Sequence, residues 1–196
     1  MSELAYDYQY YDEPDYEIIE GVKVVMAAAR PNPSHITISN RLFSIFENYF
    51  DVNNISGAAF VECDVHLPDE KNVFVPDVSV VCNPNIIEDN GIHGAPDLVV
   101  EVLSRSTAKR DIGIKKTVYE RNGVREYWIV NPWAKNIEVY HLIDSKYELN
   151  DIYTSCTEDE LNRMRGEDRA AIKTDIKVSI FDNLIVDVRR VFRWWN

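Results

Sequence analysis

The chain has 196 residues, 45% hydrophobic and 28% charged, the proportions of an ordinary globular protein. It is long enough to bury a core without metal or disulfide staples, and seven Gly with eight Pro exclude collagen-like and low-complexity classes. The 33 acidic against 21 basic residues leave a formal charge of −12, which argues against a generally basic nucleic-acid surface.

Residues 1–15 read as an acidic, tyrosine-rich arm ahead of a single domain over 16–196, without the basic and apolar regions of a signal peptide. Tyr16-Glu-Ile-Ile-Glu-Gly21-Val-Lys-Val-Val-Met26 predicts two short strands turning at Glu20-Gly21. Pro31-Asn-Pro-Ser34 breaks the chain, and Ser34 is a candidate N-cap for an amphipathic helix carrying Ile36, Ile38, Leu42, Ile45, Phe46 and Tyr49. Phe60–Leu67 alternates, with Glu62, Asp64 and His66 on one side and Val61, Cys63, Val65 and Leu67 on the other. Val73–Val81 is a strand in which Pro76 marks an edge or an entry point, and 83–94 is a loop.

Pro96-Asp-Leu-Val-Val-Glu-Val-Leu103 is nearly continuous in apolar residues, the pattern of a strand buried on both faces. A helix capped by Ser106 or Thr107 runs to about Arg121 and stops at Asn122-Gly123. Glu126–Val130 is the next strand, 136–142 and 146–149 form a hairpin, 158–164 suits a short helix, and 180–188 is strand-like before a closing helix over 189–195. The sum is an α+β fold: a mixed, bent sheet with two main helices and extra antiparallel strands. No apolar run approaches the roughly 18 residues that a membrane helix needs. Cys63, Cys82 and Cys156 are odd in number and widely spaced, which fits small buried hydrophobes in a reducing, cytoplasmic setting.

Glu101 is the oddity in this pattern, because a carboxylate amid Leu98-Val-Val-Glu-Val-Leu103 must be paired, protonated or metal-bound. If the Asp77 strand is its antiparallel neighbour, Asp77 and Glu101 meet at one sheet end, and Asp97 falls at the other as a turn or cap residue. Two carboxylates with a backbone carbonyl, that of Val102, make an all-oxygen set suited to Mg²⁺ or Mn²⁺. Glycoside hydrolysis also uses paired acids, but no aromatic sugar platform accompanies these. On the helix from Asp111, a 100° step puts Ile112, Ile114, Val118 and Tyr119 inward, with Lys115 among them and Asp111 and Tyr119 on its stripe. Lys116 lies further round. The structural alternative is a lysine whose stem packs while its head reaches solvent. The stretch 105–125 is locally basic: Arg105, Lys109 and Arg110 lead a group of seven cations against Asp111 and Glu120.

Several of these residues carry a resemblance. Pro76-Asp77, Glu101-Val-Leu103 with Ser104-x-Ser-Thr, Asp111-x-Gly-x-Lys115-x-x-x-Tyr119 and Gly-Val-Arg-Glu-Tyr-Trp-Ile-Val-Asn-Pro132 resemble the Uma-two family of the PD-(D/E)XK nuclease superfamily. Tyr16-Glu-Ile-Ile-Glu-Gly and Pro-Ser-His35 fit it as well, so that the likeness spans about 16–142, with a weaker echo in 180–192. The resemblance implies a restriction-endonuclease-like core, with Asp77 and Glu101 as metal ligands and Lys115 as the basic residue. Leu103 stands in the lysine slot of the superfamily's D/E-x-K triplet, and the lysine has moved to the next helix. His35, Tyr119 and Lys116 are candidates to line the site.

The resulting expectation is an endodeoxyribonuclease using one or two Mg²⁺ or Mn²⁺ ions, with DNA held by backbone contacts from Arg105, Lys109 and Arg110. Analogy with related nucleases adds a homodimer. The alternatives are a catalytically inactive module of the same fold that binds nucleic acid or protein, an oxygen-ligand phosphodiesterase for a small substrate, and a structural protein.

Overall fold

The computed structural model describes residues 16–26 and 32–193. The expected arm over 1–15, Pro31 and Trp194-Trp195 lie outside the described residues. Strands β1 (Tyr16–Ile19) and β2 (Val22–Val25) form the expected hairpin, with Glu20 and Gly21 at positive φ in its turn. Helix α1 (Pro33–Asn53) is capped by Asn32, not by Ser34. The Asn32 side chain accepts from the His35 N–H, and Pro33 occupies the first turn, where its missing N–H costs nothing. Ile38, Leu42, Phe46 and Phe50 form its buried stripe.

The two expected long strands are each cut in two. β3 (Ala58–Val61) ends where Glu62 takes a φ of 50°, and the chain resumes as β4 (Val65–His66) in another sheet. β5 (Val73–Phe74) and β6 (Val78–Val81) are separated around Pro76, which has no N–H to give to a ladder. The expected loop holds a 3₁₀ turn (Pro84–Ile86), β7 (Ile87–Glu88) and β8 (Gly91–His93). β9 (Leu98–Val102) is buried along its whole length.

The helix expected over 107–121 is a composite: α2 (Ala108–Arg110), a π-helical turn (Asp111–Lys115) and α3 (Lys116–Arg121). The wider turn changes which residues face inward. Ile112 and Ile114, expected inside, are 52% and 39% exposed, whereas Asp111, Lys115, Val118 and Tyr119 are buried. The chain continues through β10 (Glu126–Asn131), β11 (Asn136–Ile143), β12 (Lys146–Thr154), α4 (Glu158–Arg163) and α5 (Gly166–Ala171). It closes with β13 (Asp175–Lys177), β14 (Ile185–Asp187) and α6 (Val188–Val191). None of the helices described is long and apolar enough to cross a membrane.

One sheet runs β12-β11-β10-β9-β6-β3 and a second β2-β1-β5-β4-β8-β7, with β13-β14 as a separate pair. β9 is antiparallel to β6 and parallel to β10, so the first sheet is mixed. Alternation along β9 divides the core. Leu98, Val100 and Val102 join α1 and the C-terminal segment on one face, and Val99 and Leu103 join Phe74, Val118, Tyr119 and Tyr127 on the other. Glu101 therefore points into the second core, between Val99 and Leu103. Asp97, at the far strand end, accepts from the Cys82 N–H at 2.6 Å and from Arg125 at 2.5 Å, as a cap residue should.

Asp69 ties the N-terminal hairpin to the composite helix. Its carboxylate accepts from Asn72 at 2.8 Å, Asn122 at 2.9 Å, Arg121 at 2.8 Å and the Lys71 N–H at 3.0 Å. Arg121 also pairs with Glu20, and Asn72 accepts from the Glu20 N–H at 2.9 Å. Burial pushes the Asp69 carboxyl up, but the bonds from Asn122, Arg121, Lys71 and Asn72 outweigh it and hold it at about 2. A depressed folded value stabilises the fold above the ordinary carboxyl range and loses that contribution as pH falls towards the folded value. Asp69→Asn is expected to cost about 2 kcal/mol at neutral pH and to flatten the loss of stability between about pH 4 and 2. Denaturant titrations across that range check it, and parallel wild-type and variant curves would contradict it.

Gly57 supplies a second check. It adopts φ +145°, and a Cβ there would lie 2.5 Å from the Val81 carbonyl oxygen and 2.7 Å from the Phe50 ring. Gly57→Ala should cost at least about 2 kcal/mol in the same titration, through backbone strain and overpacking together. An unchanged midpoint would show that the junction of α1 with β3 relaxes freely.

Candidate active site

The register Val78↔Val100 places Asp77, one step beyond the ladder, opposite Glu101 at the carboxyl end of β9. The Val102 N–H donates to Asp77 Oδ2 at 2.6 Å, fixing this carboxylate against the strand end. His35, in the first turn of α1, approaches from the first core, its Nε2 3.2 Å from Asp77 Oδ1. Burial lowers the His35 pKa, but the bond to Asp77, the charges of Asp77 and Glu62 and a bond with the Val102 backbone raise it above the usual value. His35 and Val102 are thus joined through Asp77, with Glu101 adjoining on the second face.

Lys115 approaches from the second core. Its ammonium is 2.9 Å from Glu101 Oε1, 2.7 Å from Glu17 Oε1 and 3.8 Å from Asp111 Oδ1. The Tyr119 hydroxyl donates to the same Glu101 oxygen at 3.1 Å. Lys115, Glu101 and Glu17 are buried almost completely. Burial alone would discharge Lys115, but Glu101, Glu17 and Asp111 hold it charged, above the ordinary lysine value. Burial drives the Glu101 carboxyl well up; Lys115 opposes this, and Asp111, Asp77 and Glu17 add to it. Burial likewise raises Asp111 against the pull of Lys115, a Thr107 hydrogen bond and Arg110. Tyr119 is buried beside Glu101, so its hydroxyl stays protonated and remains a donor.

The π-helical turn sets this geometry. Asp111, Lys115 and Tyr119 form one inward stripe, and the Tyr127 hydroxyl donates to the Asp111 carbonyl at 3.0 Å, satisfying backbone in the widened turn. Lys116 leaves the site and sets its ammonium 3.3 Å from the centre of the Tyr140 ring. Arg105 and Lys109 are exposed, whereas Arg110 is half-buried, 3.4 Å from Glu17 Oε2 and close to the Met26 sulfur.

Sequence reasoning alone does not single out two acids of this site. Glu17 comes from β1, where it is the one buried position beside exposed or half-buried neighbours. A strand with that exposure gives no apolar alternation to mark its inner face. Asp111 reads only as a neighbour on the Lys115 stripe, since a first-turn acid is common on any helix.

The donors suit a hard cation. Glu17 Oε2 and Asp111 Oδ1 are buried without a hydrogen-bond partner. Formally, Glu17, Asp77, Glu101 and Asp111 bring four negative charges against those of Lys115, Arg110 and, when protonated, His35, leaving an excess that a cation would offset. Among the described residues, no three His, Cys, Asp or Glu side chains form a ready-made cage. Of the ligand set expected from the sequence, the strand register brings the two carboxylates, Asp77 and Glu101, opposite one another.

The two neighbouring lysines differ sharply in surroundings. Lys115→Met leaves buried carboxylates without their ammonium and should cost roughly 3–5 kcal/mol in metal-free protein at neutral pH. Lys116→Met removes one ring contact and should cost at most about 1 kcal/mol. Chemical denaturation of both variants tests this, and equal losses would show that the buried ion cluster carries no special weight.

Comparison with known proteins agrees with this architecture. Residues 4–167 match the model of the Uma2 family, described as "Putative restriction endonuclease", while the 180–192 echo lies beyond that match. The uncharacterized protein slr1290 of Synechocystis sp. is 32% identical over 130 residues, covering 66% of this chain and 67% of that one. A crystal structure described as "a putative nuclease belonging to DUF820" from Anabaena variabilis superimposes with a TM-score of 0.66. It covers 91% of this chain and 90% of its own, and at 22% identity this shows a shared nuclease-like fold. With most of its length matched, the chain belongs to the Uma2 family of restriction-endonuclease-like proteins.

Proposed function

We propose that this chain is a metal-dependent endonuclease that hydrolyses DNA phosphodiester bonds. The observation that carries this reading is the convergence of three carboxylates on one buried ammonium, with a fourth, Asp77, opposite Glu101 at the end of β9. Family membership supports nuclease-like chemistry, and the all-oxygen donor set supports Mg²⁺ or Mn²⁺, as one or two ions. Asp77, Glu101 and the Val102 carbonyl would hold the metal, which when bound supplies Lewis acidity to a phosphate oxygen and acidifies a water.

The protein's own groups do the rest. Lys115, held charged, offers a fixed positive charge where negative charge builds on the phosphorus oxygens during in-line attack. Tyr119 and Lys115 orient Glu101 through one oxygen, and His35 and the Val102 N–H orient Asp77. Glu17 completes the cage that fixes the Lys115 stem. No side chain is placed to form a covalent intermediate in this scheme. Arg105 and Lys109, exposed beside the site, are the backbone-phosphate contacts, and Lys116 belongs to the Tyr140 surface. The remaining parts of the proposal are one catalytic domain over 16–196 behind an acidic arm, action in the cytoplasm and assembly as a homodimer.

A second reading follows from Asp77. Both of its oxygens are already engaged, one by Val102 and one by His35, which favours a module that keeps the fold and binds without cutting. Supercoiled plasmid separates the two. The wild type should nick or linearise it in Mg²⁺ or Mn²⁺ and lose that activity in EDTA. Asp77→Asn and Glu101→Gln should each lower the rate by at least about a hundredfold. Cleavage that survives either substitution or EDTA overturns the scheme, and a wild type that binds DNA uncut favours the inactive module.

A further inference from the structure

Helix α1 has a second surface that the candidate site does not use. Arg41, Ser44 and Asn48 on its outer side, with Arg190 and Arg193 of the C-terminal segment, line a groove of about 540 Å³. Arg41 is pinned there, its Nη1 donating to the Val191 carbonyl at 3.0 Å. Burial and the adjacent Arg193 charge pull the Arg41 guanidinium below the ordinary arginine value, so two like charges face the same space. Among the described residues, Asp187 is the one acid in the lining, and Arg189 already holds it through Nε at 2.9 Å and Nη2 at 3.1 Å. Among the described residues, three guanidinia thus share the groove's lining without a free acid in it, on a chain whose formal charge is −12.

We propose that this groove seats the sugar-phosphate backbone of the nucleic acid, on the stretch flanking the bond to be cut. The inference rests on the nuclease reading and extends it. Guanidinium forks match phosphate oxygens in pairs, and the three groups offer contacts for two or three successive phosphates. The groove and the site share one helix. Arg41 follows His35 by six residues on one helix, an axial rise of about 9 Å. Phosphates along one strand recur about every 3.4 Å of duplex axis, so that rise corresponds to about three phosphate spacings. Contacts of this kind fix register without reading sequence.

The test uses Arg190→Ala combined with Arg193→Ala. Both residues are exposed, and Arg41 is left in place to keep its bond to Val191. Binding of a short labelled duplex is followed by fluorescence anisotropy in Ca²⁺, between about 50 and 200 mM salt. Affinity should fall about tenfold, and the slope of log affinity against log salt should shrink by about 1.8, or about 0.9 for each phosphate that the protein no longer neutralises. Mn²⁺ affinity at the Asp77–Glu101 site should not change. Equal affinity and slope in wild type and variant overturn the groove while leaving the catalytic reading intact. A drop in binding in a protein that never cleaves supports the groove and sinks the catalytic reading. A wild type that binds no duplex at the lowest salt overturns both. A variant that loses a polyglutamate peptide but keeps DNA overturns the proposal in favour of an acidic protein partner.

Discussion

A buried ammonium amid buried carboxylates is the constraint on which the rest of the structure depends. Lys115 is 3% exposed, and its partners come from three separate places: β1 gives Glu17, β9 gives Glu101 and the π-helical turn gives Asp111. Desolvating these charges is expensive, and only close, simultaneous contact repays it. No one element can satisfy Lys115 alone, so the N-terminal hairpin must dock against the composite helix while that helix docks on the sheet. The Asp69 bonds to Arg121 and Asn122 hold the other end of the same assembly. They lie well outside the site, yet they set the position of β1 and therefore of Glu17.

The site sits where two cores meet at a strand end. Along β9, apolar side chains alternate between the α1 side and the α3 side, and Glu101 takes one place in the second set. His35 arrives from the first core, Lys115 from the second, and Asp77 lies at the sheet end between them. Buried hydrogen bonds and ion pairs hold each of these side chains in place. Rigid placement of charge is what electrostatic stabilisation of a developing oxyanion requires, since nothing has to reorganise as the charge forms. The π-helical turn, satisfied by Tyr127, is the local irregularity that lets three polar side chains point into an apolar layer.

The sequence makes one part of this site legible and hides another, for reasons that can be named. Glu101 stands out because strand alternation leaves no solvent face for it, and Asp77 follows from antiparallel pairing with β6. Lys115 is separable from Lys116 by angle along the helix, although the same wheel wrongly buries Ile112 and Ile114. That wheel assumes 100° per residue, and the π turn breaks the assumption over the very residues in question. Glu17 is invisible because the one fully buried position of β1 is polar while its isoleucines are only half-buried, so hydrophobicity gives no inward direction. Asn32 displaces Ser34 as cap because Pro33 fits the first turn, a preference that a search for serine overlooks. The broken strands at Glu62 and Pro76 show the limit of reading alternation, which cannot tell one strand from two in different sheets.

Net charge is a poor guide to a polyanion's reception here. At physiological salt, charges more than about 8 Å from a phosphate are largely screened, so the acidic total matters less than what lines each contact. The carboxylates gathered around Lys115 are also partly balanced by Lys115 and Arg110 themselves. On the outer side of α1 the balance reverses, with three guanidinia and one acid already held by Arg189. The helix that carries Arg41 on this surface also holds His35 against Asp77 in its first turn. On the proposed reading, a polyanion would be held by the guanidinia at short range, so an acidic total and a local anion contact need not conflict.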